Sequence, residues 1–428
     1  MPAFSQTYYE ATAERPPFAA QRGRLDARVC ILGGGLAGLN TALGLAERGV
    51  SDVVLLESHQ VGHGASGRNG GFVFGGYSLG NADLLATLGA EEARRLYHLT
   101  LEAVDLIRQR VRHYGIDCDL VDEGVILANW FNEPSRLEKP RQLMKSAYGV
   151  DWEPISTASL REQLKSAHYF GGLLERNAFH FHPLKYCGGI ARAAAGLGVR
   201  IHEGSPAQGI EKRDGRYVVR TAGGEVHAEQ VVFCGGGYAR GVYRPIERSV
   251  LPIATYVMAT EPLGERLKDA IATRAAVYDT RFAFDYYRPL ADTRILWGGR
   301  ISILNRGPEA IAGLLQRDLL AVYPQLEGVK VEYSWGGLMS YARHLMAQIG
   351  QDEAGIWHAI GFGGHGMAPT TVAGEVLADA ISGKQAVPAG FKRFGLPNAF
   401  GLAGMAAAQA TYTAYELRDA FDVRRLNG

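Results

Sequence analysis

The chain has 428 residues, 47% hydrophobic and 21% charged, which is enough for two domains with substantial cores and excludes disorder or a fibrous class. Its 45 Lys and Arg nearly cancel 44 Asp and Glu, and the formal charge of +1 gives no general reason to expect nucleic acid or an anionic membrane as partner. The four cysteines, Cys30, Cys118, Cys187 and Cys234, form no CxxC pair and are too sparse for a disulfide scaffold, so reduced thiols in a cytoplasmic protein are expected.

The N-terminal segment carries Glu10, Glu14 and Arg15 and lacks the basic-then-apolar pattern of a signal peptide. An apolar strand, Val29 to Leu32, then runs into Gly33-Gly34-Gly35-Leu36-Ala37-Gly38. A helical stretch follows to about Arg48, and Val53 to Leu56 delivers Glu57. This spacing assigns Gly33 to a tight turn, Gly35 to admitting a pyrophosphate at the helix N-terminus, Gly38 to helix-strand contact and Glu57 to a ribose.

Gly62 to Gly71 is a glycine-rich connection, and a charged helix over about Ala90 to His113 leads out of the nucleotide core. Leu120 to Leu127 has β character, with Gly124 as a bulge or turn. A helix from Pro183 to Leu197 and a strand from Val199 to His202 return the chain to the first domain. Ala207 to Lys212, Tyr217 to Thr221 and Glu225 to Ala228 read as a β-meander, and Val231 to Cys234 as a short strand ending in Gly235-Gly236-Gly237. Those glycines suit either a second cofactor edge or close packing of the meander.

Ile253 to Thr260, Phe282 to Tyr287, Arg294 to Trp297 and Val329 to Ser334 are strand-like, and Ile311 to Val322 has helical spacing. Together they predict a second, mixed-sheet domain. Ile356 to Ile360, Gly361-Phe362-Gly363-Gly364-His365-Gly366 and Thr370 to Ile381 read as strand, ligand loop and helix. Ala399 to Ala408 is too short to span a bilayer, and packing is preferred for it over a membrane contact. The expected fold is α/β, α+β overall: a Rossmann-like domain of interrupted topology and a β-rich substrate domain. The expected ranges are 1–80, 180–239 and 345–385 for the first, 81–179 and 240–344 for the second, and 386–428 for a segment packing on the first or at the substrate entrance.

The opening fingerprint, Gly62-His63-Gly64-Ala65-Ser66-Gly67-Arg68-Asn69-Gly70-Gly71, Asp285-Tyr286-Tyr287-Arg288, Trp335-Gly336-Gly337 and Gly361 to Gly366 occur in an order that resembles the D-amino-acid-oxidase-like flavoenzymes of glutathione-reductase-like fold. The γ-glutamylputrescine oxidase group is the nearest pattern, and the likeness extends to Tyr8-Tyr9 and His180-Phe181-His182-Pro183. The resemblance implies FAD, contacted or supported by Gly33, Gly35, Gly38, Glu57, Arg68, Gly70 and Gly71, and Leu36, Ala37, Ser66, Gly67, Asn69, Gly235 and Gly236 complete the expected cofactor-binding set. It places Gly361, Phe362, Gly363, Gly364, His365, Gly366 and Met367 along the flavin near its reactive edge. Backbone donors at the start of that last helix suit negative charge on a reduced ring. Covalent relatives carry Cys near Met339-Ser340-Tyr341-Ala342 or His near Ser66. Neither is present, so noncovalent FAD is expected.

The implied reaction is oxidation of a C–N bond to an imine, with molecular oxygen or an electron carrier as acceptor. Candidate catalytic or substrate-binding residues are Tyr286, Tyr287, Arg288, Trp335, Arg343 and His365, with Tyr287 on the strand face opposite its neighbours. Tyr286 or Arg288 alternatively packs the domain. His180 and His182, without a Cys or carboxylate cluster, do not make a metal site. Where the putrescine-type pattern has Thr-Leu-Ser-Arg-Met-Pro, this chain reads Ala342-Arg343-His344-Leu345-Met346-Ala347. Arg343 as a carboxylate clamp favours a compact amino or imino acid such as L-pipecolate. The alternatives are γ-glutamylputrescine or a related polyamine, a flavin dehydrogenase serving a quinone or protein carrier, peripheral to the inner membrane, and a noncatalytic flavin-binding protein.

Overall fold

The strand Gly23–Leu32 is the axis of the first sheet. Its first residues are exposed and its last four fully buried, and it pairs in parallel with Gly224–Phe233 on one side and Val53–Leu56 on the other. The computed structural model of the protein describes residues 6–238, 240–304 and 306–427; residues 1–5, 239, 305 and 428, which the expected domain ranges include, lie outside them. Strand order is Gln348–Gln351, Trp357–Ile360, Gly224–Phe233, Gly23–Leu32, Val53–Leu56 and Arg200–His202, with Gly209–Arg213 and Arg216–Thr221 attached as a meander. Strands from three distant parts of the chain therefore share one mainly parallel sheet.

The run read as two strands, Glu225 to Ala228 and Val231 to Cys234, is one strand, Gly224–Phe233. Glu229 and Gln230 break the apolar pattern without breaking the ladder: Gln230 is paired with Val29, and its side chain accepts the Trp357 indole N–H at 2.8 Å. The first half of this strand carries the meander and the second half pairs with Trp357 and His358. Helices Leu36–Glu47, Pro183–Gly196 and Met367–Ser382 cover one face of the sheet and the meander covers the other.

The second sheet runs in the order Val331–Ala342, Val250–Thr260, Ile295–Ser302, Tyr286–Pro289, Ala276–Asp279, Val125–Ala128, Gly172–Glu175 and Glu153–Ile155. One face packs on helix Pro308–Val322 through Tyr256, Tyr287, Trp297 and Tyr323. The other faces the glycine loops of the first sheet. Side chains alternate across a strand, so each residue's register decides which side it serves.

Several boundaries differ from the sequence reading. Of Leu120 to Leu127, only Val125–Ala128 is strand, and Val121 forms an isolated bridge with His180. Phe282 to Asp285 is a turn, not the start of a strand, because side chains capture its backbone. The Asp279 carboxylate accepts the N–H groups of Arg281 and Asp285, and Asp419 accepts those of Phe282 and Ala283. The final long strand continues through Trp335-Gly336-Gly337 to Ala342, since its partner Val250–Thr260 holds both glycines in register. Ala399 to Ala408 falls largely within a 26-residue helix, Gly401–Leu426. That helix lies along the second sheet, with Met405 and Ala408 near Ile253 and Met339 and with Asp422 paired to Arg136 at 2.6 Å. Among the described residues no helix is long and apolar enough to cross a membrane.

Candidate active site

At the end of the first strand Gly33 turns with φ +113°, and a Cβ there would lie 2.7 Å from the Cys234 carbonyl oxygen. Only glycine brings the segment entering Gly235 and Gly236 this close. Gly35 is the N-cap of helix Leu36–Glu47 and supplies no side-chain cap, and a Cβ on Gly38 would overlap the Gly33 carbonyl. Ser66 reaches across from the second glycine loop, where its Oγ accepts the Leu36 N–H at 2.9 Å. Ala37 is buried within the helix base.

Glu57 closes this end of the cradle. One carboxylate oxygen accepts the Gly34 N–H at 2.6 Å, and the other accepts the His59 N–H at 2.8 Å and the Ser58 hydroxyl at 3.2 Å. A carboxylate has about four lone-pair positions, so it retains capacity for a further hydroxyl donor.

The loop from Gly62 to Gly71 is braced by Asn69, whose amide donates to the carbonyls of Ala65 and Ser66 and accepts the Gly71 N–H at 2.8 Å. Gly67 packs under Leu184, and Gly70 lies against Tyr286, where a Cβ would sit 2.5 Å from the ring. Arg68 donates to the Gly336 carbonyl at 3.3 Å and lies 3.5 Å from Glu10, but its buried Nε–H has no acceptor.

The third loop carries Gly361, whose N–H donates to Ser340 Oγ at 3.1 Å, and Gly363, with φ +58°, whose N–H donates to the Ser340 carbonyl at 2.8 Å. Phe362 bridges to Tyr341, and Gly364 N–H donates to Ser78 Oγ at 3.3 Å. Gly366 is the N-cap of helix Met367–Ser382 and again supplies no side-chain cap. Two helix N-termini without their own caps, a buried unsatisfied guanidinium N–H and glycine contacts a Cβ would fill are a donor set that fits an FAD.

Facing these loops, the second sheet presents Tyr278 and Tyr286 from opposed positions on adjacent strands. Phe72 meets Tyr286 edge-on at 5.5 Å, Phe74 stacks on Tyr278 at 5.7 Å, and Phe284 stands between the two tyrosines. All five rings are half-buried, so this aromatic face, here called the aromatic chamber, is not fully closed over by the core. His365 enters it edge-on to Phe74 at 5.0 Å, and burial alone pushes its imidazole down to about 4. The ring is therefore neutral near pH 7.

The remaining candidates divide by strand face. Tyr287 points the other way, stacked on Trp297 at 4.4 Å with its hydroxyl 3.0 Å from those of Tyr169 and Tyr323, in the core beneath the sheet. Arg288 is buried and donates to the carbonyls of Gly70 and Phe181 and to the Tyr9 hydroxyl, so it pins the loop and is not free to hold a substrate. Trp335 is likewise buried, its indole N–H donating to the Arg68 carbonyl at 2.9 Å. Arg343 is exposed, its guanidinium 5.7 Å from the Phe400 ring. Sequence reasoning missed Phe74, Ser78, Glu175, Tyr278 and Tyr341. A lone acid after Leu173-Leu174 was the available signal for Glu175.

Parallel strands ending in glycine loops, an acid after the second strand and a β-rich sheet holding aromatic rings against them define a two-domain, dinucleotide-dependent oxidoreductase. A family model described as FAD dependent oxidoreductase, DAO, matches residues 28–380, and the chain belongs to that family. It is 34% identical over 386 residues to gamma-glutamylputrescine oxidoreductase of Escherichia coli, covering 90% of each chain. It is 33% identical over 381 residues to the probable oxidoreductase OrdL of Haemophilus influenzae, covering 88% of this chain and 87% of that one. The crystal structure of glycine oxidase from Geobacillus kaustophilus shares the fold, with a TM-score of 0.72 at 20% identity over 87% of this chain and 99% of that one. The protein is thus an FAD-dependent oxidoreductase acting on C–N bonds of amines or amino acids.

Proposed function

We propose that the physiological substrate is a small amine, bound in the aromatic chamber beside a noncovalently held FAD, and that no substrate carboxylate is clamped there. One observation carries this reading: the chamber offers aromatic faces and a neutral His365, Glu175 lies beside it by accepting the N–H of Gly75, the residue after Phe74, and the nearby arginine, Arg288, is sequestered by backbone carbonyls. Arg343, on which the preference for L-pipecolate rested, is exposed beside the Phe400 ring. The balance moves toward the amine alternative, γ-glutamylputrescine or a related polyamine, whose reacting amine end carries no carboxylate.

When bound, FAD supplies the two-electron acceptor for the hydride equivalent leaving the carbon next to nitrogen, and oxygen or a carrier takes the electrons onward. The chain's own groups orient and desolvate. Tyr286, braced over Gly298, and Phe74 wall the carbon, and the neutral imidazole of His365 offers a ring nitrogen to an amine N–H. Its lowered pKa makes it a weak proton acceptor, so its role is to position the nitrogen. Noncovalent attachment is supported by the four cysteines, all buried free thiols that burial pushes up to about 12.

Anaerobic mixing of the purified holoenzyme with 1,4-diaminobutane, γ-glutamylputrescine, L-pipecolate, proline and sarcosine tests the reading. Bleaching of the oxidised flavin spectrum by the amines and not by the imino acids is expected; bleaching by L-pipecolate alone would reverse the assignment. Peroxide formed in proportion to substrate, without an added carrier, separates an oxidase from a dehydrogenase.

A further inference from the structure

One carboxylate beside the aromatic rings has no cation among the described residues. Glu175 is 8% exposed on strand Gly172–Glu175, and the one hydrogen bond to its carboxylate is from the Gly75 N–H at 3.3 Å. No ion pair reaches it among the described residues, and burial pushes its carboxyl up to about 7, opposed by that N–H alone. Beside it the Tyr97 hydroxyl, fully buried, has no hydrogen-bond partner and sits against Gly75. Ionised, a buried acid is costly unless a cation completes it, and the unpartnered Tyr97 hydroxyl leaves a polar group free to join such a site.

The rings around it suit a cation. Phe74 stacks on Tyr278 at 5.7 Å with an interplanar angle of 7°, and Glu175 is bonded to the N–H of Gly75, the residue after Phe74. Aromatic faces attract ammonium groups most strongly when both are desolvated. His365 of the glycine loop lies edge-on to the same Phe74 at 5.0 Å.

We infer that Glu175, with Phe74 and Tyr278, is a receptor for a second ammonium group of the substrate, held away from the C–N bond that reacts beside the 361–367 loop. The inference rests on the amine reading above and narrows it to diamine-type molecules, with two nitrogens separated by a short apolar chain. Glu175 supplies the charge, Tyr278 and Phe74 the π faces, and Tyr97 a hydroxyl that can accept an ammonium N–H.

The test is anaerobic calorimetric titration of the FAD-loaded enzyme with 1,4-diaminobutane and 1-aminobutane, at a pH about one unit above the Glu175 midpoint. Wild type is expected to bind the diamine about tenfold or more tightly than the monoamine. Glu175→Gln, which preserves shape and an acceptor for Gly75, should reduce that preference to about one; so should Tyr278→Leu, while Tyr278→Phe retains it. No preference in wild type, or an undiminished preference in Glu175→Gln, overturns the inference. Should Glu175→Gln not fold, the Tyr278 pair decides, and equal preference in Tyr278→Leu and Tyr278→Phe overturns it. Diamine preference without bleaching by any amine would sink the amine-oxidase reading and leave the receptor standing. Bleaching by monoamine and diamine with equal affinities would do the opposite.

Discussion

Arg288 donates its Nε–H to the Gly70 carbonyl at 2.7 Å, so a residue of the second sheet holds the backbone of a cofactor loop in the first. The same guanidinium donates to the Phe181 carbonyl at 2.9 Å and meets the Tyr9 hydroxyl at 3.2 Å and His180 Nδ1 at 3.3 Å. None of these acceptors is a carboxylate. Arg288→Met is expected to leave buried carbonyls unsatisfied and to cost about 3 kcal/mol, read as a lower urea midpoint and faster loss of FAD on dialysis. The imidazoles of His180 and His182, which burial and then Arg288 hold down at about 3, should titrate higher in the variant by NMR. An unchanged midpoint with lost turnover would instead make Arg288 a substrate ligand.

Glu57 spends only part of its acceptor capacity on the N–H groups of Gly34 and His59. Glu57→Gln replaces one acceptor oxygen by a donor facing either an N–H or a ribose hydroxyl. FAD affinity should fall about tenfold, close to 1.4 kcal/mol, with no change in the ratio of kcat/KM between any two amines. Fluorescence titration of apoprotein with FAD checks the first part, and equal affinities would remove Glu57 as a ribose anchor.

Tyr286 lies across Gly298, where any Cβ would overlap its ring. Gly298→Ala is expected to push the ring into the chamber and lower amine kcat/KM by about 1–2 kcal/mol in transition-state terms. Tyr286→Ala should lower it as well, but adding Gly298→Ala to that background should cost almost nothing more. By contrast Tyr287→Ala, one residue away, removes the stack on Trp297 and should cost about 3–5 kcal/mol of stability without selectivity among substrates. Additive kinetic effects of the Gly298 and Tyr286 changes would refute the contact.

What was legible in the sequence were features fixed by local chemistry. Gly33 to Gly38 and Glu57 are set by a turn, a helix start and a strand end within one short segment, and Gly361 to Met367 repeats that logic. The alternation that set Tyr287 against Tyr286 was legible too. Which face belongs to the chamber was not, because it depends on helix Pro308–Val322 covering the Tyr287 side. Arg288 and Trp335 looked available since nothing local shows that their partners are the carbonyls of Gly70, Phe181 and Arg68, all more than a hundred residues away. Glu175 was missed for the same reason: its meaning depends on Phe74, Tyr97 and Tyr278, contributed by three other elements.

His365 makes a prediction about pH. Burial lowers its imidazole to about 4, against about 6.5 for the unfolded chain, so between those values the unfolded state binds the extra proton. Its contribution to stability is thus complete above pH ~6.5 and is lost as the pH falls toward ~4. Glu175 has the opposite sign: its carboxyl, raised to about 7, is protonated first in the folded state, so acidification over the same range favours folding. The two tendencies are separable by variant. His365→Gln should lose less stability than wild type between pH ~7 and ~5, by about 1 kcal/mol after allowing for the partial exposure of the ring. Glu175→Gln should lose more. Urea denaturation at the two pH values measures both differences, and parallel losses in all three proteins would mean that neither side chain occupies the desolvated position assigned to it.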